Sequence, residues 1–172
     1  CELALKKEPA AITAFEQAVE HDGSLIDSWK FLTTAYRRQG DTRAEQAAMQ
    51  VDFLASLPTE LRTVISYLAA NRMADAERLC RFFLQQNKTH VEGMRLMAEI
   101  ATRTGVFDDA EFLLETVMEL APDHIEAEIQ LAHVLLRRQR FHKAHKRVTS
   151  IYNRNSNPSP QVKALYASVC FK

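Results

Sequence analysis

His142 and His145 stand three residues apart on a predicted helix and share one face, a spacing that suits two imidazole ligands of a transition metal, with His133 on the preceding helix as a third candidate. Their neighbours argue against a metal. Arg140, Lys143 and Lys146 surround the pair with positive charge, and solvated histidines on a basic helix hold a cation poorly. Cys80 continues an apolar stripe, which predicts a buried and inert thiol rather than a nucleophile. Asp108, Asp109 and Glu111 are paired carboxylates of the kind general acid–base catalysis employs, but they open a predicted helix, where the macrodipole favours negative charge whatever the function. His21, His90 and His124 fall at turns between helices and read as surface residues. No nucleophile comes with a base that the helical register would bring close, so the protein is expected to be noncatalytic, with no cofactor and no metal.

Those side chains must be held by helices. Of the 172 residues, 47% are apolar, mostly Ala, Leu and Met, with only four glycines and five prolines. The 22 basic residues equal the 22 acidic ones, so no global field draws the protein to nucleic acid or to an anionic membrane, and neither is expected as a partner. Cys1, Cys80 and Cys170 are odd in number and widely separated, which fits a reducing, cytoplasmic setting. Asn87-Lys88-Thr89 matches a glycosylation acceptor, a pattern too short to outweigh that reading. No apolar run approaches the ~18 residues a membrane span needs. The sequence opens on Cys1 and stops within a helical pattern at Lys172, which suggests a piece of something longer.

A period of about 34 residues organises the helices. In residues 91–124, Met94, Met97, Ala98 and Ala101 share a helical face, Gly105 stops that helix, and Asp108 or Asp109 is placed to cap the next. That second helix carries Ala110, Leu113, Leu114, Val117 and Ala121 before Pro122 ends it. Residues 125–158 repeat the pattern with Leu131, Ala132 and Leu135, then Phe141, Ala144, Val148 and Ile151. Residues 57–90 repeat it with Val64 and Tyr67, then Met73, Ala76, Cys80 and Phe83. Residues 26–56 form a unit three residues short, with Trp29, Leu32, Tyr36 and Gly40, then Ala44, Ala48 and Val51. Residues 1–25 supply only a second helix, with Pro9 near its start and Ala11, Phe15 and Ala18 on one face. Residues 159–172 begin a further unit at the cap pair Ser159-Pro160, with Val162, Leu165, Ala167 and Val169 as its stripe. The expected fold is all-α: one domain over 1–172, a right-handed α-solenoid of antiparallel helix pairs with about four full repeats and partial ones at both ends.

Trp29, Leu32 and Tyr36, the small residues Thr33, Ala98 and Ala132, the alanines at 11, 76, 110 and 144, and Pro122 together resemble the tetratricopeptide repeat pattern, with Glu45 departing from the usual alanine in the short unit. More narrowly, residues 71–79 and 94–101 resemble the repeat region that precedes a sulfotransferase domain in certain bacterial proteins. That resemblance implies a parent enzyme whose repeats position substrate for a catalytic domain outside these 172 residues. The repeats themselves cannot supply that chemistry, because their glycines at 23, 40, 93 and 105 sit singly at helix turns and form no phosphate-holding loop.

In the architecture the resemblance implies, the first helices line a concave groove. Its candidate residues here are Lys30, Thr34, Arg37 and Arg38, then Arg62 and Ile65, then Arg95, Glu99 and Arg103, and last His133 and Arg137. Arginine dominates this set, which points to an acidic partner segment or a partner's C-terminal carboxylate, held by Arg–carboxylate pairs of about 1 kcal/mol each. Arg37, Arg38, Arg103 and Arg137 lie in last turns, where cations are favoured by exposed carbonyls in any case, so Lys30, Arg62 and Arg95 are the sharper candidates. The clamp by which similar repeats hold the acidic tails of heat-shock chaperones is not expected, because Thr34 and Arg62 replace its asparagines and Glu92 its later lysine. The asparagine ladder of glycosyltransferase repeats is missing too, its positions being Phe31, Arg62, Leu96 and Gln130. The expected function is a protein-interaction scaffold, its partner a protein or peptide or a downstream domain of the same protein, bound at about micromolar strength.

Overall fold

The computed structural model describes residues 2–154 and 159–170, with side chains from residue 8 onward. Cys1, the last four residues of the 125–158 unit and the end of the sequence at Lys172 lie outside the described residues. The described residues form ten α-helices and no strand: α1 (Glu2–His21), α2 (Ile26–Gln39), α3 (Arg43–Ser56), α4 (Thr59–Ala69), α5 (Met73–Gln86), α6 (Val91–Thr104), α7 (Phe107–Leu120), α8 (Ile125–Arg137), α9 (Phe141–Arg154) and α10 (Pro160–Cys170). The protein is all-α, as its composition and period require. None of the described helices is long and apolar enough to cross a membrane. The helices fall into two compact units, Cys1–Leu79 and Cys80–Lys172, divided within α5.

In the first unit Ile12, Val19, Leu32, Ala35, Tyr36, Ala44 and Ala47 form an apolar cluster across α1, α2 and α3, with Phe15, Trp29 and Phe31 against it. The Trp29 indole donates to the Gly23 carbonyl at 3.0 Å, and Ser66 of α4 donates to Asp22 at 2.8 Å. Burial alone would raise the Asp22 carboxyl, but hydrogen bonds from Ser24 and Ser66 bring it below the usual value. Two expectations are corrected in this unit. Pro9 lies inside α1 rather than near its start, so the helix runs on through a residue that lacks a backbone N–H. The buried stripe of α3 is Ala44, Ala47 and Leu54, while Ala48 and Val51 are half-buried. At the helix start the Arg43 guanidinium donates to Asp41 at 2.9 Å and to Glu16 at 2.7 Å. Both helices of the short 26–56 unit have 14 residues, and only Leu57 and Pro58 separate α3 from α4, against four residues between α5 and α6.

In the second unit α6 packs on α7, α7 on α8, α8 on α9 and α9 on α10. The connection between α6 and α7 is only Gly105 and Val106, too short for anything but an antiparallel pair. Leu114, Val117, Leu131, Ala132, Ala144 and Val148 are fully buried in one continuous apolar cluster, where each Leu or Val contributes about 1.5–3 kcal/mol. The first helices stop at residues with left-handed backbone: Gly40 (φ 65°), Asn71 (56°), Gly105 (84°) and Gln139 (59°). The last three are spaced 34 residues apart.

Several local expectations also change here. Gly93 is not at a turn but buried in the first turn of α6, where an added Cβ would lie 3.0 Å from Leu84 and 3.3 Å from Phe83. Neither Asp108 nor Asp109 caps α7, because the helix starts at Phe107 with Val106 in the cap position, two residues before Asp108. His90 and His124 are not surface bystanders: each caps a helix, Nδ1 accepting from the backbone N–H of Gly93 at 3.2 Å and of Ala127 at 3.3 Å respectively. In α10, Val162, Leu165 and Val169 are buried but Ala167 is exposed, and Ser159 accepts from the Val162 N–H at 3.4 Å.

Candidate functional site

On α2, Lys30, Thr34, Arg37 and Arg38 are all exposed. Two shallow recesses of about 270 Å³ share Lys30 and Thr34, one closed by Glu8, Phe31 and Arg38, the other by Arg37, Val51 and Asp52. Lys30 is lightly engaged with Asp27 at 3.1 Å, and Arg38 stands 3.7 Å from Glu8. Arg62 of α4 reaches Thr59 at 3.0 Å, while its buried Nε has no partner among the described residues. Ile65 is half-buried.

On α6 the predicted residues are brought together, but with each other. Arg95 is only 13% exposed and meets Glu92 at 2.6 Å and Glu99 at 3.7 Å. Burial works against its charge, yet Glu92, Glu99 and Glu126 raise the guanidinium pKa above its ordinary value. Glu99 also holds Arg103 at 2.6 Å. This stretch of the expected positive face is therefore a neutralised ladder. On α8, His133 is exposed one turn before Arg137; partial desolvation and that guanidinium keep its imidazole below the usual value.

Three carboxylates that sequence reasoning assigned to no site are buried in the second unit: Glu92, Glu111 and Glu128. Each receives a cation or imidazole from a later element. His124 approaches Glu92 at 3.3 Å, Arg138 and Arg140 meet Glu111 at 2.5 and 2.6 Å, and Arg154 pairs with Glu128. Arg138 also pairs with the exposed Asp108. A buried carboxylate is tolerated only when paired in this way, and the pairs tie α6 to the start of α8, α7 to the α8–α9 turn and α8 to the end of α9. The first unit holds a related junction, where Glu16 of α1 accepts from the Tyr36 hydroxyl and from Arg43, both at 2.7 Å. Burial and the Glu16 carboxylate push the Tyr36 hydroxyl up to about 12. The available sequence signal was an Arg 27 residues after the acid, as in Glu16–Arg43 and Glu111–Arg138.

A recess of about 450 Å³ adjoins the Glu16–Tyr36–Arg43 junction, walled by Trp29, Gln46 and Gln50. A second, of about 400 Å³, is lined by Glu115, Glu128, Lys143, Lys146, Arg147 and Ser150. His142 and His145 are exposed on α9, and no group of three metal-binding side chains occurs among the described residues. Cys80 is fully buried, its thiol donating to the Gly93 carbonyl at 3.3 Å, and burial pushes that thiol up to about 12.

Residues 103–169 match a family model described as Tetratricopeptide repeat, which takes in the end of α6, α7, α8, α9 and nearly all of α10. No curated protein matches the sequence.

Proposed function

We propose that the protein is a noncatalytic tetratricopeptide-type scaffold that holds an acidic segment of a protein partner against the exposed face of its first helices. The match over residues 103–169 supports the scaffold, because repeats of this kind commonly bind protein or peptide partners. The observation that carries the site is on α2, where Lys30, Thr34, Arg37 and Arg38 flank two adjoining recesses and are largely free of strong internal pairs. Arg95 plays a different part. Its guanidinium is committed to Glu92 and Glu99, so it fixes the local surface instead of reaching a ligand.

A photo-crosslinking residue placed at Thr34 tests this reading in cells that make the protein. The expected product is a partner crosslinked through an acidic run, lost in Lys30→Glu/Arg37→Glu with an unchanged melting temperature. A partner crosslinked through a neutral or basic segment, or one insensitive to the two reversals, would remove the first-helix face from the account.

A further inference from the structure

The zero net charge conceals a division along the sequence. No Asp or Glu follows Glu128, whereas nine Lys and Arg do; residues 1–128 hold the other thirteen cations and all 22 acids. Where the acid-free stretch forms α9, its apolar stripe of Ala144, Val148 and Ile151 is buried and turns the basic side chains outward. Lys143, Lys146, Arg147 and Ser150 recur at i, i+3, i+4 and i+7, and they share the recess of about 400 Å³. The cations around them are already engaged, Arg138 and Arg140 by Glu111 and Arg154 by Glu128. Lys143 is 3.8 Å from Glu111 at the edge of ion-pair range. Lys146 and Arg147 have no ion-pair partner among the described residues, although Arg147 is half-buried. A guanidinium partly removed from water without an acceptor favours an incoming anion.

We propose that this recess and the α9 face around it form a second docking surface, which takes an extended acidic peptide segment of a partner. The proposal rests on the reading of the protein as a scaffold, but it places the contact on a second helix rather than on the first-helix face. From Lys143 to Ser150 the helix rises about 10 Å, the span of three or four extended peptide residues. Glu115 and Glu128 stand in the same recess and decide the class of anion. A nucleic acid strand puts a phosphate at every nucleotide and would press charge against both carboxylates. A peptide that alternates acidic with uncharged residues can set its carboxylates on Lys146 and Arg147 alone.

Fluorescence anisotropy with a labelled dodecapeptide of alternating Glu and Ser tests this on the whole protein. Binding is expected to weaken about tenfold in Lys146→Glu/Arg147→Glu, and less in Lys146→Gln/Arg147→Gln, since reversal adds repulsion to the lost attraction. It should be unaffected by Lys88→Glu, a reversal at an exposed turn residue outside both faces. Circular dichroism melting confirms that each variant is folded. Wild-type affinity in both α9 variants overturns the proposal, as does loss of binding in Lys30→Glu/Arg37→Glu on α2 alone, which would leave the first-helix reading standing. Tighter binding of a uridine dodecanucleotide or of phosphatidylserine vesicles than of the peptide also overturns it.

Discussion

Glu111 is 5% exposed in its side chain and lies within reach of three cations, which makes it the clearest case of a charge spent on structure. Its pairs are asymmetric, because the acid is buried while Arg138 and Arg140 are 20% and 41% exposed. Glu111→Gln leaves two arginines that can rehydrate, at a cost of about 1–2 kcal/mol. Arg138→Met/Arg140→Met strands a carboxylate out of water, at a cost of about 3–5 kcal/mol. Urea unfolding of the two variants should rank them in that order; equal losses would mean that Glu111 is solvated. Cys80 yields a second prediction at this scale. Burial raises its thiol to about 12, so the thiolate that reacts with a disulfide reagent is absent at neutral pH. In a variant with Cys1 replaced by Ser, native protein should lose one thiol, that of the exposed Cys170, to Ellman's reagent, and Cys80 should react only after unfolding. The linkage has a definite sign. Because the folded thiol is raised above its unfolded value of ~8.5, its contribution to stability is complete below that pH and is lost as pH climbs towards 12.

At the scale of the element, the left-handed stops decide where each first helix ends. Gly105 adopts φ 84° without a side-chain penalty, whereas Gln139 takes φ 59° at the equivalent place one period on. Gln139→Gly should therefore stabilise the protein by about 0.5–1 kcal/mol, with a smaller gain for Asn71→Gly, since Asn tolerates this conformation better. Thermal melts of the two variants check the order, and a loss of stability at Gln139 would mean that its amide makes a contact worth more than the backbone strain.

For the molecule as a whole, stability is divided between two compact units. The cluster joining α6 through α10 is continuous, so a vacancy at its centre should be felt across several helices. Leu131→Ala, at a fully buried position, should cost about 2–5 kcal/mol. Hydrogen exchange should then report lost protection in α6, α8 and α10 together. Protection in α1, α2 and α3, whose apolar cluster is a different one, should persist. Loss confined to α8 would show that the helices hold their structure singly. Charge too is a property of this scale: a neutral total arises from an acidic stretch up to Glu128 and a basic stretch after it, which composition alone averaged away.

The helices, their pairing and the 34-residue rhythm could be read from the sequence because apolar spacing, left-handed stops and residues such as Pro122 act over one or two turns. The cap residues were less legible. His90 and His124 rank low as caps by type, and only the seated backbone shows their Nδ1 atoms accepting from Gly93 and Ala127. Which charges remain available to a partner was decided by packing. Arg95 is a groove cation by helical position, yet Glu92 and Glu99 claim it. Lys146 and Arg147 look like two charges among many on a solvated helix, yet they are left over once Glu111 and Glu128 have taken their neighbours. A periodic sequence fixes which way each residue leaves its own helix, but ion pairs between residues 26–32 positions apart depend on how closely successive helices stack. That distance exists only in the folded protein.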